Sequence, residues 1–329
     1  MHDVTTRRDA LRWLAVGATA LVAPFAFAAY PDKPIRLVVG YPPGGANDIV
    51  ARHVAARLGE TLGAQVVVDN RPGANGIIVC EQVAKAAPDG YTLLWGGLTT
   101  LVLNPLTYPK LPYDTLNDFT PISTVSSGPV VVSVRPELGV SDMNELFALA
   151  KSKPATINFA TVGTGGSTRI FFELMKATGN VDVRYVPYKG AAPAITDIVG
   201  GQGVDGIAVD LSAVLPFVKS GKLRALGVTS ERRNAEMPNV RTMAEQGLPE
   251  LSGGNWFAVL GPAKLPPALV ATLHGALVKV VASPDFKEKL VASGSDPMSS
   301  DTPEAFKQLI KSEFARWGRV VKAANIQSE

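Results

Sequence analysis

The 329 residues predict an α/β fold of two domains, and three observations carry that prediction. Strand-like apolar runs alternate with helix-period segments through most of the chain, the pattern of mostly parallel sheets covered by helices. Two glycine-rich turns, Tyr41-Pro42-Pro43-Gly44-Gly45-Ala46-Asn47-Asp48 and Thr161-Val162-Gly163-Thr164-Gly165-Gly166-Ser167-Thr168, each leave an expected strand and enter an expected helix. With 46% hydrophobic residues and about 300 residues beyond an N-terminal leader, the chain has the apolar content for two cores.

In order, Ile35 to Gly40 reads as a strand, and Asp48 to Leu62 as a helix with Ile49, Val50, Val54, Leu58 and Leu62 on one side and Gly63 as its stop. Gln65 to Asp69 is the next strand, Asn70 to Gly76 a turn, Ile77 to Ala87 a helix, and Tyr91 to Trp95 a third strand. A second cycle begins near Val130 to Val134. Ser141 to Asn144 caps a helix through Lys151, Thr156 to Ala160 is a strand, and the second glycine turn opens a helix over Thr168 to Thr178. Val183 to Val186, Gly206 to Val209 and Leu223 to Val228 read as strands, with a helix ending at Gly200 between the first two. After Trp256 to Leu260 the chain is helical: Pro267 to Ala282, Pro284 to Ser293 and Pro303 to Ala324. These last helices have no strands of their own and are expected to return to the first sheet, which makes domain 1 discontinuous: residues 29–127 with 254–329, and 128–253 for domain 2.

Residues 1–28 read as an export signal. Arg7, Arg8 and Arg12 form a basic region, Trp13 to Ala26 is apolar, and Ala26-Phe27-Ala28 offers a small-x-small cleavage site. The paired arginines also fit a twin-arginine leader, so both that route and the general secretory route stay open, and either implies a periplasmic protein. Cys80, the single cysteine, excludes an intramolecular disulfide and a multi-cysteine metal site. The net charge is +3, or +2 without the leader's three arginines and two aspartates. The basic residues are scattered, so nucleic acid is not an expected partner.

A helix N-terminus holds unpaired N–H groups and the positive end of a dipole, so a glycine turn there can receive an anion on bare backbone. Either turn alone is equally a plain βα connection with an N-cap. Two of them in separate halves suggest a cleft that grips an acid from both sides. Catalytic chemistry is sparse. Beyond the leader only His53 and His274 remain, both inside helical segments. The run Gly165-Gly166-Ser167-Thr168-Arg169 lacks the second glycine of a nucleophile elbow, and neither a P-loop nor a dinucleotide fingerprint is present. No metal constellation or cofactor is expected.

The leader, Tyr30-Pro31-Asp32-Lys33-Pro34-Ile35-Arg36, Tyr41-Pro42-Pro43-Gly44-Gly45, Asp69-Asn70-Arg71-Pro72-Gly73-Ala74 and Ala87-Pro88-Asp89-Gly90-Tyr91 follow one another in a recognisable order. Asn104-Pro105, Leu111-Pro112-Tyr113-Asp114, Pro187-Tyr188-Lys189-Gly190 and Ala315-Arg316-Trp317-Gly318 continue it. With these motifs the chain resembles the solute receptors of tripartite tricarboxylate transporters, the Bug family. The resemblance implies a type II periplasmic-binding-protein fold, two α/β domains joined by a two-stranded hinge that close over a small carboxylate.

Carried over by position, the resemblance implies ligand contacts from the first turn (Tyr41, Gly44, Gly45, Ala46, Asn47) and the second (Thr164, Gly165, Ser167, Thr168). Leu98 and Thr99 would line the first wall, and Tyr188 and Lys189 the second. The chain carries Arg169 where many relatives have histidine, a candidate for the far carboxylate. A gapless reading puts Val209 where relatives hold an aspartate, and strand alternation then aims Asp210 away from the ligand unless a bulge restores it. On that reading, diacids without an amino group bind better than aspartate or glutamate. The expected function is an exported, non-enzymatic receptor, acting as a monomer, that captures a small organic acid, aliphatic or aromatic and first of all a dicarboxylate. It would deliver the acid to tripartite-type membrane components or to a sensor kinase. Two rivals remain open: a periplasmic enzyme on the same scaffold with Ser167 or Lys189 as nucleophile, and a receptor for a non-anionic solute.

Overall fold

The computed structural model describes residues 30–43, 46–162, 167–323 and 326. The leader, and Gly44, Gly45, Thr164 and Gly165 of the two turns, lie outside the described residues.

The first sheet starts from three short parallel strands, β1 (Ile35–Val39), β2 (Val66–Asn70) and β3 (Thr92–Gly97), with β1 between the others. Helix α1 (Ala46–Leu62) connects β1 to β2, and α2 (Ile77–Ala84) connects β2 to β3. After β3 come a π turn over Thr99–Leu103 and the short α3 (Asn104–Thr107). The chain then enters β4 (Phe119–Val134), 16 residues long. Its first part, Phe119 to Pro129, pairs antiparallel with β9 (Gly254–Pro262), and β9 pairs antiparallel with β3. Its last five residues, Val130 to Val134, belong to the second sheet, between β7 (Gly206–Asp210) and β8 (Arg224–Val228). One strand is therefore shared by both sheets.

The second sheet is completed by β5 (Asn158–Val162), which is parallel to β7 and to β6 (Arg184–Tyr188). Its helices are α4 (Met143–Ser152), α5 (Ser167–Gly179), α6 (Ala191–Val199) and α7 (Leu211–Lys219). The chain returns to the first sheet through β9 and closes with α8 (Pro267–Ala282), α9 (Pro284–Ala292), a two-residue β10 (Asp296–Pro297) on the edge of β4, and α10 (Pro303–Ala323).

Both sheets are covered on both faces, which is why their inner strands are apolar on consecutive residues. On the first, Leu37 and Trp95 pack with Val54 and Leu58 of α1 and with Leu273 and Leu277 of α8. Val38 and Leu94 face the other way, toward Val79 and Val83 of α2 and Phe306, Ile310 and Trp317 of α10. On the second, Val132 and Phe159 pack with Leu146 of α4 and Phe172 and Met175 of α5, and Ile207 and Val209 with Ile195 of α6 and Val214 of α7. The C-terminal helices do lie on the first sheet.

The chain crosses between sheets at β4 and just before β9, where the backbones touch. A Cβ on Gly254 would lie 2.5 Å from the Gly128 carbonyl oxygen. Thr229, fully buried, ties the crossing together. Its Oγ1 accepts from the Val130 N–H at 2.9 Å, its N–H donates to the Val130 carbonyl at 3.0 Å, and its carbonyl accepts from the Gly253 N–H at 2.7 Å.

Candidate functional site

Parallel strands of open α/β sheets present their C-terminal ends to ligands. Here β1 ends at the first glycine turn and β5 at the second. The base of each turn is held by hydrogen bonds. On the first side, Asn70 at the end of β2 donates from Nδ2 to the Tyr41 carbonyl at 3.1 Å and to Asp48 Oδ1 at 2.8 Å. Arg52 donates from Nε to Asp48 Oδ2 at 2.9 Å and from Nη2 to Asn70 Oδ1 at 2.9 Å. Asp48, almost fully buried in the first turn of α1, is where a carboxylate complements the helix dipole. On the second side the Thr168 hydroxyl bridges the turn's ends, accepting from the Val162 N–H at 2.8 Å and donating to the Val162 carbonyl at 3.1 Å.

Asp210 ends β7 and starts α7. Its Oδ1 accepts from Asn255 Nδ2, in β9, at 2.7 Å. Burial pushes the Asp210 carboxyl up to about 6, the Asn255 hydrogen bond opposing the shift. The phenol of Tyr41, from the other sheet, is raised above its ordinary range, first by burial and next by the charge of Asp210, while Thr99 bonds to it and lowers it. Asp210 is thus bonded to Asn255 and lies within electrostatic reach of Tyr41. Val209, by contrast, is 4% exposed and packs among Ile207, Leu211 and Val214. The sequence expectation for this pair is corrected: alternation sends Val209 into the core under α6 and α7, so the carboxylate of Asp210 is the one that meets the opposite sheet. The reason for expecting diacids without an amino group to bind better than aspartate or glutamate goes with it.

Phe257, two residues beyond Asn255 on β9, packs edge-on against Tyr41 (centroids 6.4 Å, planes at 87°) and parallel to Trp95 (5.9 Å, 7°). Asn47 Oδ1 and Trp95 Nε1 are buried without a hydrogen-bond partner among the described residues.

Other candidates are placed differently. Leu98 is 3% exposed inside the α2 and α10 core rather than on a cleft wall. Arg169 is turned along its own half: its guanidinium lies 3.7 Å over the Tyr185 ring, and Nη1 stands 2.7 Å from Glu173 Oε1 in an ion pair whose geometry falls short of a hydrogen bond. Tyr188 donates to Asp197 Oδ2 at 2.8 Å, and burial with that bond pushes its phenol up to about 12. Lys189 is exposed, and Ser167 opens α5. The backbone of Ala46 begins α1. His53 lies on α1 with its pKa lowered by burial and by Lys289 and Arg57, while His274 on α8 meets the Ser300 carbonyl at 3.0 Å. Neither joins Asp210. Among the described residues no cluster of His, Cys, Asp and Glu could hold a metal. A surface cavity of about 550 Å³ beside α4 and α5 touches none of the Asp210 cluster.

Residues 50–326 match the family model described as the tripartite tricarboxylate transporter family receptor. The chain is 35% identical over 318 residues to protein BugT of Bordetella pertussis, covering 96% of this chain and 97% of that one. It also superposes on solved structures: a periplasmic transporter (TM-score 0.84, 36% identity, 91% of this chain and 99% of that one) and an R. palustris protein with adipate (0.84, 32%, 91% and 99%). MatC from Rhodopseudomonas palustris, with bound malate, matches at 0.80 and 31% over 89% of this chain and 100% of that one. The architecture is the two-domain type II periplasmic-binding-protein fold, and these relatives are solute-binding receptors, not enzymes. On a family match over most of its length, together with a relative 35% identical over 96% of it, this chain belongs to the tripartite tricarboxylate transporter receptors.

Proposed function

We propose that this protein is an extracytoplasmic receptor that captures a small organic acid between two lobes and delivers it to the membrane components of a tripartite transporter. The lobes are residues 29–127 with 254–329, and 128–253. The leader is read as the export signal, through either the twin-arginine or the general secretory route. One observation carries the proposal: Asp210, at the end of β7 in the second sheet, accepts a hydrogen bond from Asn255 of β9 in the first, within electrostatic reach of the Tyr41 phenol. A ligand held between the two lobes binds the closed arrangement better than an open one and shifts the population toward it.

The acid's carboxylate is assigned to the main-chain N–H groups of Gly44 and Gly45 on one side and of Thr164 and Gly165 on the other. The stapled bases at Asn70 and Thr168 support this by fixing where each helix begins. The adipate and malate of the two R. palustris relatives support a dicarboxylate as the first ligand class to try. A thermal-shift screen of the purified protein against carboxylates and uncharged analogues tests the reading. At 100 times Kd a ligand stabilises by about 2.7 kcal/mol, so a binding acid raises Tm while its amide or alcohol analogue does not. Equal shifts with uncharged analogues would assign the protein to a non-anionic solute.

A further inference from the structure

The aromatic cluster at the ends of β1, β3 and β9 speaks to which acid is bound, and this inference rests on the receptor reading above. Tyr41 follows β1, Trp95 lies two residues before the end of β3, and Phe257 lies three residues after the start of β9. Because β9 runs antiparallel to β3, all three rings gather at the same edge of the first sheet, the edge where the glycine turn begins. Phe257 and Asn255 are two apart in one strand and so share a face. Asn255 reaches Asp210 from that face. The Phe257 ring therefore lies on the same strand face as the Asn255 side chain, beside Tyr41 at the base of the first turn.

Trp95 is fully buried, whereas Phe257 and Tyr41 keep part of their surface. Trp95 lies parallel to Phe257 at 7° and fixes its plane, and Tyr41 meets it edge-on at 87°. Backbone is kept clear for this ring: at Gly97, opposite Phe257 across the β3–β9 pair, a Cβ would come within 3.0 Å of the Phe257 ring and 2.6 Å of the Trp256 carbonyl oxygen. An aliphatic pocket needs none of this. A fixed, partly open ring whose plane is set from behind is complementary to a flat ligand, because offset or edge-to-face contacts between rings add to simple burial.

We propose that Phe257, set by Trp95 and Tyr41, selects acids whose body is an aromatic ring over flexible aliphatic acids of equal charge. An extended six-carbon diacid must also freeze its internal rotations on binding, and a benzene ring has none to freeze.

Calorimetric titration of the purified protein with adipate and with benzene-1,4-dicarboxylate tests this, in wild type and in Phe257→Leu. The expected wild-type result is binding of the ring diacid about tenfold tighter than adipate. Phe257→Leu should bring the ring diacid down to within about twofold of adipate, leaving adipate nearly unchanged, and Phe257→Tyr should keep the preference. Adipate binding as tightly as the ring diacid, or Phe257→Leu weakening both alike, overturns the selection by Phe257 and leaves the receptor reading standing. Binding of neither acid, nor of any in the carboxylate screen, by protein that circular dichroism shows to be folded removes the selection and the receptor reading together.

Discussion

The Asp210 carboxylate, at the end of β7, accepts a hydrogen bond of 2.7 Å from the side-chain amide of Asn255 in β9. Forty-five residues apart in sequence, the two join the second sheet to the strand that leads back into the first. The bond is made beside the crossing where Thr229 holds Val130 and Gly253. Asp210 is therefore both a candidate ligand contact and part of the seam between the halves.

Its raised carboxyl gives a pH signature. In the folded protein Asp210 titrates at about 6 against 3.8 for the unreacted group, so between those values the native state holds a proton that the unfolded chain has lost. Stability should fall as pH rises through that window, by at most about 3 kcal/mol at 1.36 kcal/mol per unit. Urea unfolding of wild type and Asp210→Asn from pH 4 to pH 7 measures it: the variant should lose this component of the slope. Parallel profiles would show that the carboxyl is not shifted.

The same titration should govern a diacid whose far carboxylate lies at Asp210. Two facing carboxylates repel until one takes up a proton, so Kd for adipate should tighten severalfold between pH 7.5 and pH 5.5 in wild type and stay flat in Asp210→Asn. Weakening toward acid pH would mean that the ligand offers Asp210 a donor.

Asp48, Arg52 and Asn70 hold the first turn through hydrogen bonds that are part-buried at Asp48 and exposed between Arg52 and Asn70. Asp48→Ala leaves the part-buried Asn70 amide short of an acceptor, while the exposed Arg52 guanidinium turns to water, and should cost about 1 kcal/mol in urea unfolding. Ligand affinity should fall with it, since the turn loses its base. A loss below about 0.5 kcal/mol, the range of an ordinary surface substitution, would show that the network does not support the turn.

At the crossing, Gly253 has φ +113°, and a Cβ there would lie 2.4 Å from the Arg316 guanidinium of α10, which also donates to the Ser252 carbonyl. Gly253→Ala should destabilise by about 1 to 3 kcal/mol through backbone strain and that clash. Adding Arg316→Ala should restore only the part due to the clash. Full restoration would mean that the backbone angle is harmless to alanine.

Much of this fold was legible because the helices carry clear period and caps. Pro267 to Ala282 coincides with α8, the helix read as Pro284 to Ser293 ends one residue earlier, and the last helix starts at Pro303 as read, its expected end at Ala324 lying outside the described residues. The first part of β4 was not legible. Pro121, Ser123, Ser126 and Pro129 interrupt its apolar alternation, and the register shifts after Pro121 and after Thr124 show how the strand accommodates them. Helix α7 was hidden by Pro216 inside it. At the site, the glycine turns and Tyr41 could be found from local pattern and family motifs. Asn255, Phe257 and Trp95 could not, since nothing local distinguishes them from core residues until β9 runs back beside β3.

Small-angle X-ray scattering during titration tests closure of the two lobes around an acid most directly. Whichever of adipate and benzene-1,4-dicarboxylate binds more tightly should reduce the radius of gyration with the same midpoint as its calorimetric isotherm. Asp210→Ala, which removes one side of the contact between the lobes, should diminish the change. Saturation of the calorimetric signal with an unchanged radius of gyration would contradict capture by closure.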